Sequence, residues 1–187
     1  MPRKILILNG SPRKNGNTQA LVDAFTRGAE QAGNTVTVFN LDSMNIHPCK
    51  GCLGGGREPS HPCVQRDDMD KIYPVYREAE IIVLATPLYY WSVTGQFKTA
   101  FDRLFAVTEC DPEYKAPAKQ SVLLMAAGSQ EFEEVTCWYD RLMTHLGWQS
   151  LGKILCGDVL YPGDSKGRSE LIDAEKLGAA IADQGNC

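Results

Sequence analysis

"KILILNGSPRKNGNTQAL", residues 4–21, runs from an apolar segment through a loop of glycine, serine, asparagine and threonine into a helical pattern. "ILIL" (5–8) is short and continuous, as suits a parallel strand covered on both faces. Beyond residue 17, Leu21, Phe25 and Ala29 are spaced by four and share one helix face. A strand that passes through such a loop into a helix leaves backbone N–H groups facing outward at the helix start, where an anion is favoured.

The same alternation continues along the chain. "IIVLA" (81–85) and "VLLMAA" (122–127) are further continuous apolar runs. "TVTVFNL" (35–41), where Val36 and Val38 alternate with threonines, and the half-apolar "SLGKILCG" (150–157) read as less covered edge strands. Helical patterns are expected over 17–33, 67–80, 95–107, 133–148 and 169–185. Gly33 is placed to end the first in a left-handed conformation, and Pro74 to shorten or kink the second. In the third, Phe97, Phe101, Leu104 and Phe105 form one stripe. Five strands alternating with five helices define a doubly wound α/β domain. The two weak strands are the second and fifth, which selects the flavodoxin-like order 2-1-3-4-5; the order 3-2-1-4-5-6 needs a sixth strand. One domain is expected over 1–187, with an unusual connection at 42–66 rich in Cys, Gly and Pro.

Composition narrows the function. A formal charge of −4 over 187 residues, with no basic run, argues against a nucleic-acid partner. "MPRKILILNG" has too short an apolar stretch for a signal peptide, and no segment is long enough to span a bilayer, so a cytoplasmic location without membrane contact is expected. Seven cysteines, an odd count, do not suggest a disulfide framework in a reducing compartment.

The first loop is not GxxxxGK[ST]: Gly10 to Gly16 is one residue too long, and Asn17 stands at the lysine position. GxGxxG is also missing. The loop offers the Ser11 and Thr18 hydroxyls, the Asn15 and Asn17 amides and the N–H groups that follow Gly16, with Arg13 and Lys14 at the rim. That set suits one phosphate monoester; it is equally consistent with Asn17 or Thr18 merely capping a helix. A second segment, "ATPLYYWSVTGQFKTAFDRLF" (85–105), follows the third strand, whose end lies beside the first loop at the topological switch point. Pro87, Leu88, Tyr89, Tyr90 and Trp91 make a stiff, uncharged loop whose aromatics must bury themselves, meet a partner subunit or stack on a planar ligand. A third loop, "AAGSQEF" (126–132), carries Gly128, which permits close backbone approach.

"GSPRKNGNT", "TPLYYWSVTGQFKTAFDR" and "CVQRDDMDKIY" resemble the flavodoxin-like NAD(P)H-dependent oxidoreductases, the NADPH-dependent FMN reductase family, over nearly the whole chain. The resemblance implies FMN, with Ser11, Arg13, Asn17 and Thr18 around its phosphate. Pro87 to Trp91, helped by Gly128, would hold the ring. It implies NAD(P)H as co-substrate, a quinone, nitroaromatic, flavin or similar acceptor, and a homodimer or homotetramer. The chemistry then belongs to the cofactor, and no catalytic side chain is expected. A flavodoxin-like electron carrier and an iron–sulfur flavoprotein are the alternatives.

The last alternative rests on "HPCKGCLGGGREPSHPC" (47–63). In the iron–sulfur flavoproteins of this family four closely spaced cysteines hold a [4Fe–4S] cluster. Cys49 and Cys52 match the first pair and Cys63 the last, but Gly55 stands where the third belongs. Zinc has possible donors in His47, Cys49, Cys52, His61 and Cys63, although His61 and Cys63 are one residue apart beside prolines. No metal is expected. Cys110, Cys137, Cys156 and Cys187 read as buried or incidental, His145 as structural, Asp67 and Asp68 as favouring a helix dipole, and Asp102 and Arg103 as charges paired with each other, across an interface or at the surface.

Overall fold

In the computed structural model, which describes residues 2–181, the continuous apolar runs form the centre of one all-parallel sheet. Its strands are β1 (Lys4–Asn9), β2 (Thr35–Asn40), β3 (Ile81–Pro87), β4 (Gln120–Ala126) and β5 (Gln149–Cys156), in the order β2-β1-β3-β4-β5. Ile5 lies opposite Val36 on one side and Ile81 on the other. The expected order and both edges are therefore present. β3 is buried along all but its last residue, whereas β2 is half-exposed.

Alternate residues feed two cores. Ile5, Ile7, Val83 and Leu124 point to one face, which α1 (Asn17–Gln31) and α6 (Ser169–Ala179) cover. Leu21 and Phe25 of α1 are fully buried there, each contributing roughly 2 kcal/mol of transfer free energy. Leu6, Leu8, Leu84 and Met125 point to the other face, under α2 (Met69–Glu78), α3 (Gly95–Arg103), α4 (Phe105–Thr108) and α5 (Glu133–Leu146). On the first face the helix backbones touch. A Cβ on Gly28 would collide with the Glu175 carbonyl of α6, and one on Gly178 with the Phe25 carbonyl of α1.

Gly33 follows the end of α1 in the left-handed region as expected, with φ of 85°, the helix itself stopping at Gln31. Other local expectations change. Pro74 sits inside α2, which continues through it. The helix expected over 95–107 is two: the chain tightens at Leu104, whose N–H bonds Phe101 O at 3.0 Å, so Phe105 leaves the stripe and is exposed. The pattern expected to 185 is helical only to Ala179; its last residues, with Cys187, lie outside the described residues. Cys137 is exposed and Cys156 buried.

The charges at 67 and 103 form a buried pair. Arg103 is not a surface charge, and Asp67, which does accept from Met69 N at 3.1 Å at the start of α2, does more than favour a helix end: the side chains are 1% and 0% exposed and pair through Nη1–Oδ2 at 2.7 Å and Nη2–Oδ1 at 3.2 Å. Arg103 Nη1 also donates to His47 O at 2.7 Å, which fastens the 42–66 connection to α3. Burial works to raise the Asp67 carboxyl, but the Arg103 bond and the His47 and Met69 N–H groups outweigh it and hold it below its usual range. Asp102 pairs instead with Lys98.

Candidate functional site

The loops after β1, β3, β4 and β5 meet at the carboxyl end of the sheet, beside the switch between β1 and β3. Thr94 joins the first two. Its Oγ1 donates to Gly10 O at 2.9 Å and caps α3 by accepting from Phe97 N at 3.3 Å, while Thr94 N–H reaches Thr86 Oγ1 at 3.1 Å. Gly10 has no room for a side chain there, because a Cβ would stand 2.6 Å from both Phe97 Cβ and Thr94 Oγ1. The first loop is thus set against α3 before any ligand arrives.

At the start of α1, the N–H groups of Asn17, Thr18 and Gln19 find no acceptor among the described residues. Asn17 and Thr18 line a cleft of about 220 Å³ together with Ser11, Arg13, Gly16, Pro87, Leu88, Tyr89, Gly128, Val159 and Leu160. No carboxylate lines it. A Cβ on Gly16 would lie 2.9 Å from Arg13 Cβ, so glycine keeps this turn narrow. Asn15 is exposed and lines neither this cleft nor its neighbour.

Asn17 does something other than offer its amide to an anion. Its Nδ2 donates to Tyr161 O at 2.9 Å and its Oδ1 accepts from Ser165 N at 3.2 Å. Arg13 Nη1 donates to Leu160 O at 2.8 Å. Both side chains hold the 157–168 loop against the first loop. That loop is a wall the sequence reading missed, although its "YPGD" at 161–164, with Gly163 at φ 97° and Asp164 Oδ2 accepting from Leu160 N and Tyr161 N, is a legible turn signal directly after β5.

The cleft continues, past the shared Leu88, Tyr89, Ala127 and Gly128, into a slot of about 390 Å³ lined also by Tyr90, Trp91, Ser129 and Glu131. Tyr89 and Ser92 exchange N–H···O bonds of 3.0 and 3.1 Å across a two-residue turn. The turn residues Tyr90 and Trp91 have φ of 47° and 57°, the left-handed region where a hairpin of this hand usually carries Asn-Gly. Holding two aromatics there costs on the order of 1 kcal/mol or more each. Tyr90 is 94% exposed, and Trp91 Nε1 donates to Glu131 Oε2 at 3.2 Å. The aromatics are therefore not buried in the core but displayed at the slot. Near Gly128 a Cβ would touch only Leu160 Cδ1, at 3.4 Å, so the slot floor stays flat. The N–H groups of Tyr90, Trp91, Gly128 and Ser129 also lack acceptors among the described residues.

A family model for NADPH-dependent FMN reductases matches residues 3–154. An iron–sulfur flavoprotein of Archaeoglobus fulgidus is 34% identical over 174 residues, covering 93% of this chain and 76% of that protein. A second, from Methanosarcina thermophila, is 40% identical over 101 residues, 54% of this chain and 51% of its own length, so the match spans only about half of that relative. Among solved structures, an NAD(P)H:quinone oxidoreductase from Methanothermobacter marburgensis has a TM-score of 0.73 at 20% identity, covering 97% of this chain and 100% of its own. An FMN-dependent NADH-azoreductase from Bacillus anthracis, in complex with FMN, has 0.70 at 14%, with the same coverage. Both share the flavodoxin-like fold.

The donor set at α1, the absence of a carboxylate among the residues that line it and the flat slot beyond fit FMN. The cysteine connection does not fit a four-cysteine cluster. A Cβ on Gly55 would collide with the Glu109 carboxylate and lie 2.9 Å from Pro62 O. Cys49 and Cys52 are exposed, Cys63 is half-buried, and no three His, Cys, Asp or Glu side chains among the described residues converge on a metal position.

Proposed function

Because the chain belongs to the NADPH-dependent FMN reductase family, and is by that membership an FMN-dependent NAD(P)H oxidoreductase, we propose that its acceptors are small electron-poor planes such as quinones and nitroaromatics. The observation that carries the reading is one continuous trench with free helix N–H groups at one end and a strained aromatic turn at the other. FMN, when bound, would supply the hydride-transfer chemistry that links NAD(P)H to the acceptor.

The chain's own residues bind and orient. The Asn17 and Thr18 N–H groups, with the Ser11 and Thr18 hydroxyls, hold the phosphate, and the α1 dipole favours its charge. Asn17 and Arg13 keep the Val159–Leu160 wall in place. Leu88, Tyr89, Ala127 and Gly128 flank the ring. Tyr90, Trp91, Gly128 and Ser129 line the slot with N–H groups free to stabilise negative charge there. No side chain there is placed as an obligatory acid or base, and solvent supplies the proton. No helix among the described residues is long and apolar enough to cross a membrane. A homodimer or homotetramer in the cytoplasm fits this reading; the exposed Tyr90, Trp91 and Phe105 support a subunit contact.

The test is the visible spectrum of FMN-loaded protein before and after anaerobic NADPH, then with a quinone added. Rapid bleaching and return of colour are expected. A flavin that stays oxidised for many minutes favours an electron carrier, and a chain that takes up no FMN at saturation defeats the reading.

A further inference from the structure

We infer that Glu131 selects among acceptors, admitting neutral or cationic planar aromatics and disfavouring those that carry sulfonate or carboxylate groups. The inference rests on the trench being the flavin and acceptor site. Glu131 is the one charged residue lining the slot, and no ion-pair partner is found for it among the described residues. Its position is built, since Oε2 accepts from Trp91 Nε1, so the carboxylate and the indole are held together at the mouth. The left-handed backbone at Tyr90 and Trp91 turns that indole toward the β4–α5 loop. Arg13, the cation of the trench, belongs to the opposite end, where it donates to Leu160 O. Glu133 and Glu134, in the first turn of α5, add negative charge close in sequence to Glu131.

A ring that slides against Trp91 therefore meets an indole face and a carboxylate, with no cation to receive an anionic substituent. The overall transfer is the same for every acceptor: NAD(P)H, a proton and a quinone become NAD(P)+ and a hydroquinone. Only entry to the slot is selected. Because Glu131 is exposed, the discrimination is modest and screened by salt, roughly fivefold at low ionic strength.

The experiment measures kcat/KM of the FMN-loaded full chain for 1,4-naphthoquinone and its 2-sulfonate, and follows the ratio between them. Glu131→Gln keeps an oxygen acceptor for Trp91 and removes the charge; Glu131→Lys reverses it. The neutral-to-sulfonate ratio is expected to fall roughly fivefold in Glu131→Gln and further in Glu131→Lys. In high salt the wild-type ratio should approach that of Glu131→Gln. A merely structural role for Glu131 would change both acceptors together and leave the ratio unmoved. An unchanged ratio in both variants, with the flavin band intact, overturns the inference, and so does loss of the flavin in Glu131→Gln. A wild-type chain that holds no FMN defeats the functional reading instead.

Discussion

Replacing Asn17 by aspartate puts the anion pocket to its sharpest test, because the change is nearly isosteric and its effects on folding and on binding have opposite causes. Asn17→Asp keeps the acceptor for Ser165 N and loses the Nδ2 bond to Tyr161 O, which costs roughly 1–2 kcal/mol. A carboxylate in the first turn of α1 recovers about 0.5 kcal/mol through the helix dipole. A carboxylate oxygen then faces the Tyr161 carbonyl in a buried position, so the apo-protein should lose about 2–3 kcal/mol net. Binding is different. A phosphate monoester carries roughly −1.5 to −2 charges, and at about 6 Å from the new carboxylate their repulsion is roughly 1 kcal/mol in water-like surroundings and roughly 5 at an effective permittivity near 20. FMN affinity should fall between about fivefold and about five-thousandfold. Riboflavin has the same ring and no phosphate, so its affinity should change by less than about threefold. Flavin fluorescence quenching measures both. Equal losses for FMN and riboflavin would place the phosphate elsewhere and refute the assignment of the α1 start.

Further outcomes follow from the same geometry. Tyr90→Asn with Trp91→Gly relieves two left-handed aromatics and should raise stability by about 1–2 kcal/mol in urea titration while lowering turnover with quinones; unchanged stability would mean the turn stores no strain. Asp67→Asn strands the Arg103 guanidinium in the core and should cost about 3–5 kcal/mol, most of it recovered in the Asp67→Leu/Arg103→Met pair, as chemical denaturation of the three variants would show. Asp67 also contributes stability present above its unfolded pKa near 4 and lost as pH falls through its lower folded value, a loss the paired variant should lack. Burial pushes the Lys119 ammonium down to about 8 against the opposing charge of Glu80. The unfolded chain then binds more protons between about pH 8 and 10, so stability should rise with pH there by at most about 3 kcal/mol. Lys119→Met should flatten that rise in pH-dependent melting. Above pH 10 the buried Tyr73 and Tyr76 hydroxyls, raised by burial, act in the opposite sense.

The sheet was legible because burial acts on each strand by itself: threonines in β2 and glycine and lysine in β5 mark edges without reference to any distant residue. The loops that carry the site were legible for a related reason, since they follow strand ends whose order was already clear. What local pattern lacked was pairing across the chain. Asn17 meets Tyr161 and Ser165, and Arg103 meets Asp67, only after the fold has formed, so sequence alone offers Asn17 as a phosphate ligand or a cap and Arg103 as a surface or interface charge. The turn at Tyr90 was hidden because neither residue carries the glycine or asparagine signal of positive φ; tertiary contacts, including Trp91 with Glu131, override that preference. The Leu104 break was hidden because an aromatic stripe counts residues by angle and registers no change of helix pitch.

The backbone contacts of Gly28 with Glu175 and of Gly178 with Phe25 bear on how the phosphate seat behaves over time. With backbone lying on backbone, α1 has no compressible layer of side chains along which to slide or roll against α6. Its free N–H groups consequently keep one bearing relative to the sheet whether the pocket is full or empty. Recruitment of the cofactor then spends little on ordering its host, and the dye's departure is governed by broken contacts more than by a yielding scaffold.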